Sequence, residues 1–377
     1  MTDAPLKDEF RFPCPSCKAN AVFNPTVSAL ECPFCGWREN VPRSVTEIQE
    51  QDLSSRLNEA VLPSTTPESA TKESVCNGCG YRVTFSEGEV ASSCPFCAQP
   101  VVIQQSSTDA LITPQAVLPF GITKQEATRH LKSWISGLWF APNRLKDFVL
   151  LGEINGVYLP FWTYDAFTLS PYHGERGDYY YVNESYTTTD SQGQRVTKTR
   201  QVRKTRWHSV SGEVSRFFND TLAPGVSSLS QPKLVALEPW DLDKIASYDP
   251  SYLAGFKALR YQISVKEGFA FARQRMEQII YEDIRRDIGG DEQRIHGKDT
   301  AYSALTFKHI LLPVYVGAFR FQERVFQILV NARTGEVQGE RPYSVIKIIL
   351  ASIGAMVVIG LVLYLYLSVY SQSGRYQ

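Results

Sequence analysis

The chain of 377 residues has no surplus of charge, with 39 Lys plus Arg against 39 Asp plus Glu. A polybasic coat of the kind that wraps nucleic acid is therefore excluded. There is no cysteine after Cys97, and the five histidines (His130, His173, His208, His296 and His309) are dispersed, with no metal-ligand spacing among them. The GxxxxGK[ST] phosphate loop is missing, because the single Gly297-Lys298 pair is followed by Asp299 and lacks the upstream glycine. No GxSxG nucleophile turn is present either. These absences remove the common nucleotide-hydrolysing and acyl-transfer chemistries, and a protein that is not an enzyme is expected. The opening MTDAPLKDEF is polar and acidic, so no signal peptide is expected.

Against those absences stand 43% hydrophobic and 12% aromatic residues, enough for a sizeable core in two or three domains. The mean hydropathy of -0.20 conceals one apolar run. Residues 348–367, IILASIGAMVVIGLVLYLYL, carry no charge. At about 1.5 Å rise per residue, such a helix spans roughly 30 Å, the hydrocarbon thickness of a bilayer. Tyr343, Tyr364, Tyr366 and Tyr370 fall near its ends, where amphipathic rings prefer the interface. Arg333, Arg341 and Lys347 precede it and only Arg375 follows, which predicts that the N-terminal bulk is cytoplasmic. The expected location is thus a membrane, spanned once by residues 346–370, with a short tail at 371–377 and the body on the cytoplasmic side. Ala351 and Ala355 would let two such helices approach, which leaves room for an oligomer.

All eight cysteines form four CxxC pairs: Cys14/Cys17, Cys32/Cys35, Cys76/Cys79 and Cys94/Cys97. One module repeats at an offset of 62, with fourteen residues between its inner cysteines. A CxxC turn sets two thiolates on one side of a metal, so two turns complete the tetrahedron that Zn²⁺ prefers. The spacing predicts two zinc ribbons, at 1–40 and 72–103, each holding one structural Zn²⁺ in a closed site. Disulfides are disfavoured by a cytoplasmic setting, and a redox CxxC by the lack of a βαβ unit. Residues 1–110 hold 8 Lys plus Arg and 14 Asp plus Glu, a balance of -6 that disfavours phosphate contacts. The remainder of the chain carries +6, so the overall neutrality is a sum of opposites.

Residues 41–71 predict a linker with a short helix, and 104–117 a second linker that leaves the ribbons separately mobile. The body, 118–342, predicts an α+β fold in which helices pack on antiparallel sheets. A helix over 123–138 precedes the strand GVYLPFWTYDAF, and a longer helix over 264–288 precedes ILLPVYVGAFRF. Tyr158-Leu-Pro-Phe-Trp162 lines up with Leu311-Leu-Pro-Val-Tyr315 at an offset of 153, which suggests an internal duplication. Residues 178–189 and 195–210 flank a DSQGQ turn and predict a long hairpin. Six of the twelve residues from Arg195 to Arg206 are basic: Arg195, Lys198, Arg200, Arg203, Lys204 and Arg206. Such an arm is either a charged edge strand or a contact surface for anionic lipid or a partner; as a nucleic-acid contact, it offers the alternative reading of the whole protein.

The CPxC and CPFC ribbons, GVYLPFW, ALEPWDL, ILLPVY, VNARTGEVQGERPYS and the apolar run together resemble a bacterial family of membrane-anchored zinc-ribbon proteins. That family is found beside phage-shock-type and SPFH-type membrane-stress components and is often mislabelled as a primosomal helicase. The resemblance implies a scaffold or adaptor that recruits cytoplasmic or membrane-associated proteins of phage-shock or SPFH type at the membrane. The motor motifs of a helicase are absent from this chain.

Overall fold

A computed structural model describes residues 12–41, 48–58, 71–75, 82–85, 91–93, 100–102, 105–107, 112–140, 142, 154–189, 193–321, 324–340 and 344–373. The fold is strand-rich α+β with mainly antiparallel sheets, as expected. The first module is a four-stranded sheet of β1 (Phe12–Pro13), β2 (Asn20–Asn24), β3 (Ala29–Glu31) and β4 (Arg38–Asn40). Five strands surround the second cysteine set: β6 (Thr71–Val75), β7 (Arg82–Phe85), β8 (Ala91–Ser93), β9 (Pro100–Val102) and β10 (Gln105–Ser107). The repeat at 62 is visible in their register. Phe12 faces Ala21 as Ser74 faces Val83, and Leu30 faces Glu39 as Ser92 faces Val101.

Two very long strands dominate the body: β12 (Ile154–Thr189, 36 residues) and β13 (Arg195–Pro224, 30 residues). They belong to a ten-stranded sheet with β5 (Gln51–Asp52), β11 (Ala116–Val117), β14 (Ala246–Ser247), β15 (Lys257–Ala258), β16 (Glu292–Lys298), β17 (Ala301–Phe321), β18 (Arg324–Asn331) and β19 (Val337–Gly339). Its helices are α1 (Leu53–Asn58), α2 (Lys124–Ser136), the short α3 (Gln231–Val235) and α4 (Val265–Ile288), and the chain closes with α5 (Val345–Ser373). Capping boxes start both longer body helices, Thr123 with Glu126 and Ser264 with Glu267. In α4 the buried residues Gly268, Ala272, Met276, Ile280, Ile284 and Ile288 recur every fourth position, one stripe facing the sheet.

The two Leu-Pro segments are direct neighbours, with Leu159 opposite Leu312 in the antiparallel β12–β17 pair. Around that point the chain makes each contact twice. Tyr158 in β12 pairs in parallel with Ala258 in β15, and Leu311 in β17 pairs in parallel with Val117 in β11. The Pro160 carbonyl accepts from Gly225 N–H and the Pro313 carbonyl from Ala332 N–H, both at 2.9–3.1 Å. Gln262 and Ile263 N–H converge on the Gly225 carbonyl, as Gly121 and Ile122 N–H converge on that of Ala332. Trp162 Nε1–H donates to the Ile263 carbonyl, and Tyr315 O–H to that of Ile122, both at 2.9 Å. A local two-fold axis therefore passes between Leu159 and Leu312.

Strand parity separates two packed faces. Tyr158, Trp162 and Tyr164 lie under α2 and α4, whereas Val157, Leu159 and Phe161 lie under Leu229, Leu234, Leu237 and Trp240. The segments ALEPWDL (236–242) and VNARTGE (330–336) lock this core. Buried Asn331 donates to the Leu237 carbonyl and accepts from the Arg333 and Thr334 amides. Arg333 clasps Asp241 at 2.9 and 2.6 Å, and Arg275 clasps Glu238 at 2.6 and 2.8 Å.

Three expectations about the connections change. The first ribbon is not separately mobile: Phe23 N–H donates to the Ala254 carbonyl at 2.9 Å, and its ring meets Tyr252 edge-on at 5.3 Å. Phe23, Leu30 and Val41 enter the body's core because the ribbon's metal side leaves its opposite, apolar face to be covered. The 41–71 linker is strapped to the sheet, since β5 pairs with β17 and Leu53 is fully buried; among the described residues of the predicted helix, Leu53–Asn58 is helical and Gln51–Asp52 is strand. The 104–117 linker supplies β10 to the second module and β11 to the main sheet, where Ala116 and Val117 are buried.

Candidate metal centre and projecting arm

Two near-identical turns build the first centre. Lys18 N–H donates to the Cys14 carbonyl at 2.9 Å and Gly36 N–H to that of Cys32 at 3.0 Å. Lys18 and Gly36, each one residue past a CxxC, have φ of 63° and 72°, a left-handed conformation that frees the preceding amides to turn toward sulfur. The four Sγ atoms of Cys14, Cys17, Cys32 and Cys35 lie within 4.8 Å of one another. Cys14 and Cys35 are 3.5 Å apart and Cys17 and Cys32 3.4 Å, too long for disulfides and close to the roughly 3.8 Å edge of a tetrahedron with about 2.3 Å metal–sulfur bonds.

The thiols are set against one another. Amides of Cys35 and Phe34 hold Cys32 down to about 6 despite burial. The Trp37 amide also lowers Cys35, but burial and the three neighbouring sulfurs outweigh it and push that thiol up to about 12. Burial raises Cys14, yet the Cys17 and Ser16 amides bring it below its ordinary value; Cys17, lowered by the Ala19 amide, is carried above it by Cys32 and burial. Four thiolates at this spacing repel unless a cation lies among them, so the donor set fits a thiophilic metal ion. Cys76, Cys79, Cys94 and Cys97 lie outside the described residues.

The basic arm is the far end of the β12–β13 hairpin. Beyond Gly177, where β16 stops pairing, the ladder continues as two strands to Thr189 opposite Arg195. At about 3.3 Å per residue, this arm is roughly 40 Å long. Two strands alone are marginal in water, and side-chain pairs support them. Arg203 lies 4.1 Å from the Tyr179 ring centre, Arg206 5.0 Å from Tyr180 and Arg200 5.5 Å from Tyr186. Lys204 meets Glu184 at 2.9 Å, Arg200 reaches the same carboxylate at 3.7 Å, and Tyr179 O–H donates to Glu292 at 2.7 Å. Glu184 is drawn below the usual carboxylate range by Lys204. Register puts Lys198, Arg200, Lys204 and Arg206 on one face with Asp178 and Glu184; Arg195 and Arg203 share the other with Tyr, Thr, Ser, Asn and Gln.

A polar cluster marks a bend in the sheet, thirteen residues before the arm begins. Lys308 bridges Glu50 at 2.9 Å and Asp220 at 2.7 Å, and buried Asp165 accepts from the Asp220 amide. Burial pushes Asp165 up to about 6. The register shifts here in both neighbours of β12, with Asp220 and Ala304 at φ of 52° and 49°, and the sheet bends.

Within α5, Val345–Leu365 is long and apolar enough to cross a membrane, and none of it is buried against the body. It begins at the Ile154 end of β12. Ile135 and Leu138, in and just past the last turn of α2, pack with Ile154, Phe326 and Ile328, and Ser344 N–H donates to the Phe140 carbonyl at 2.7 Å. From Ile154 to Asp178, where the arm begins, β12 runs 24 residues further, roughly 80 Å of strand. The start of the apolar helix and the basic arm thus occupy opposite ends of the longest strand.

Fold and site define a class: an α+β protein with a four-cysteine module that could hold a metal ion, docked on a two-fold sheet body and followed by a helix of membrane-spanning length. The chain is similar to the uncharacterized protein YdjG of Bacillus subtilis strain 168, at 22% identity over 347 residues covering 88% of this chain and 90% of that protein. No family model and no solved structure matches it.

Proposed function

We propose that this chain is a non-enzymatic, zinc-dependent adaptor tethered by α5 to the bacterial inner membrane, with its body in the cytoplasm. The observation that carries the reading is the two-ended layout: the apolar helix starts at one end of β12, and a basic, tyrosine-lined arm projects from the other. An arm so far from the membrane-length helix suits a protein partner better than the lipid around its own tether, since charge is screened within about 8 Å at physiological salt. Zn²⁺ is the favoured ion at Cys14, Cys17, Cys32 and Cys35, and a second Zn²⁺ at Cys76, Cys79, Cys94 and Cys97 is inferred from the shared strand register. Both are structural in this reading. The twin hydrogen bonds about Leu159 and Leu312 favour an origin of the body by duplication.

The resemblance to zinc-ribbon proteins of membrane-stress systems makes a phage-shock or SPFH-type protein the expected partner. Crosslinking in native membranes followed by purification in mild detergent tests the proposal. A partner captured by the full chain should be lost when residues 179–205 are replaced by a short Gly-Ser turn; retention of every partner by that variant removes the arm from the account. Salt-sensitive binding of DNA or RNA that the same replacement abolishes would favour the nucleic-acid alternative.

A further inference from the structure

We propose that residues 138–140, just past the end of α2, form a second membrane contact that seats the body on the lipid interface beside α5. The proposal rests on α5 crossing a bilayer. Leu138 is buried in the core, but the next two side chains turn outward: Trp139 is 84% exposed and Phe140 43%. Two adjacent bare aromatics on a soluble surface are costly, and their position explains them. The Phe140 carbonyl accepts the N–H of Ser344, the residue immediately before the apolar window that opens at Val345. Ser344 also starts α5, its carbonyl accepting from Ile348 N–H and its side chain from Lys347 N–H.

Consecutive Cα atoms are about 3.8 Å apart, so Trp139 lies roughly one residue from the backbone that leads into the membrane. Indole prefers that level of a bilayer, where its ring meets acyl chains and its N–H meets water and head groups. The surroundings agree. Lys347 lies in the first turn of α5, and Arg129 and Lys132 are on the exposed side of α2, where Glu126 is the single acid and pairs with Arg129 at 3.5 Å. Gly137 ends α2, and the following backbone turns, Leu138 N–H bonding to the Ile135 carbonyl and Trp139 N–H to that of Gly137, which holds the aromatic pair out from the core. With α5 as one anchor and this pair as a second, the body cannot swing freely about its tether, and the Ile154 end of β12 stays against the lipid while the arm points away.

The test reconstitutes the full chain and Trp139→Phe into vesicles whose acyl chains carry bromine either near the head group or near the methyl end. Both proteins are first floated with the vesicles. The chain has six tryptophans, so the difference between the two proteins isolates one of them. The expected result is that both float, that shallow bromine quenches the wild-type emission more than deep bromine does, and that Trp139→Phe loses the greater part of the shallow quenching. Equal quenching of floated wild type and variant overturns the contact and leaves the tether standing. Failure of the wild type to float overturns both. Phe140→Ser, which keeps all six tryptophans and should also weaken shallow quenching of Trp139 by loosening the pair, guards against an effect specific to the indole's removal.

Discussion

At the residue scale, Cys32 sits where the four-cysteine cluster meets the core. It is buried, its sulfur is the most acidic of the four, and its backbone belongs to a ribbon whose other face is packed on Tyr252. Structural zinc contributes on the order of 10 kcal/mol to folding of such a module. Cys32→Ser should therefore reduce the metal content by one ion, and it should also lower the melting temperature of the body, because Phe23 and Leu30 leave a shared core. Atomic emission and thermal unfolding in detergent measure the two effects, and an unchanged melting temperature would mean the ribbon is only loosely held. His309 gives a pH signature. Its Nδ1 lies 2.9 Å from the Ile112 carbonyl, its Nε2 has no hydrogen-bond partner among the described residues, and burial pushes it down to about 4. The sign follows from proton counting: below 6.5 the unfolded chain takes up a proton that the folded one refuses, so stability falls as pH drops from about 6.5 to about 4. This one group accounts for roughly 3 kcal/mol across that window. His309→Asn, which cannot titrate, should remove this loss, leaving the opposite contribution of Asp165, which is raised to about 6 and stabilises as pH falls through the same window. Asn331 is a third test, since Asn331→Ala strands the Leu237 carbonyl and two amides in the core and should cost about 2–3 kcal/mol by denaturant titration.

At the element scale, the hairpin divides into a core half and a free half. Between Phe161 and Gly177, β12 is flanked by partners and covered by α4, whose Asp283 pairs with Arg216 and whose Asp287 accepts from Tyr172 O–H at 2.5 Å. Past Gly177 no described helix or third strand pairs with it. Shortening the arm across 179–205 should therefore leave the far-ultraviolet spectrum's helical content and the melting temperature nearly unchanged, whereas Gly174→Ala, whose new Cβ would lie 2.2 Å from the Arg294 carbonyl, should destabilise the β12–β16 pair. A large loss of stability on shortening the arm would show that its cation–ring pairs support the body. Exposed Phe167, Leu169 and Phe217 lie on the uncovered side of the sheet near the bend.

At the scale of the whole molecule, the charge balance and the layout act together. Residues 1–110 carry a balance of -6 and the rest +6, and the basic excess is shared between the arm and the region leading to α5. Protease added to spheroplasts should leave the body intact and should digest it after lysis, if the positively charged flank of α5 lies in the cytoplasm. Digestion before lysis would invert the topology. Removing residues 344–377 should release the body to the soluble fraction with its metal retained, because the ribbon's contacts are with Tyr252 and Ala254 and none with α5 is among its described bonds.

How much of this was legible in the chain follows from the range of the forces involved. The two CxxC pairs of each module, the apolar run and the periodicity of α2 and α4 are local patterns, and where the chain is described they give a close cysteine cluster, a helix of membrane-spanning length and two helices packed on the sheet. The long hairpin was half legible: its charged end alternates visibly, but Pro171, Gly174 and Gly177 break the strand pattern between it and GVYLPFW. Those glycines are there because β16 and the Trp207 ring approach too closely for a Cβ, a reason that exists only after distant segments meet. The repeated Leu-Pro motif could be read as similarity, yet that its copies pair with each other across a two-fold axis is a tertiary fact, as is the docking of the first ribbon. Sequence by itself determined the four-cysteine cluster, the two longer body helices and the membrane-length segment, since those depend on neighbours within a few residues. Only the tertiary structure decided that the first ribbon and its linker belong to the body's core, that ALEPWDL and VNARTGE clasp each other, and that the apolar helix and the basic arm stand at opposite ends, because each of those depends on burial shared between segments some hundred residues apart.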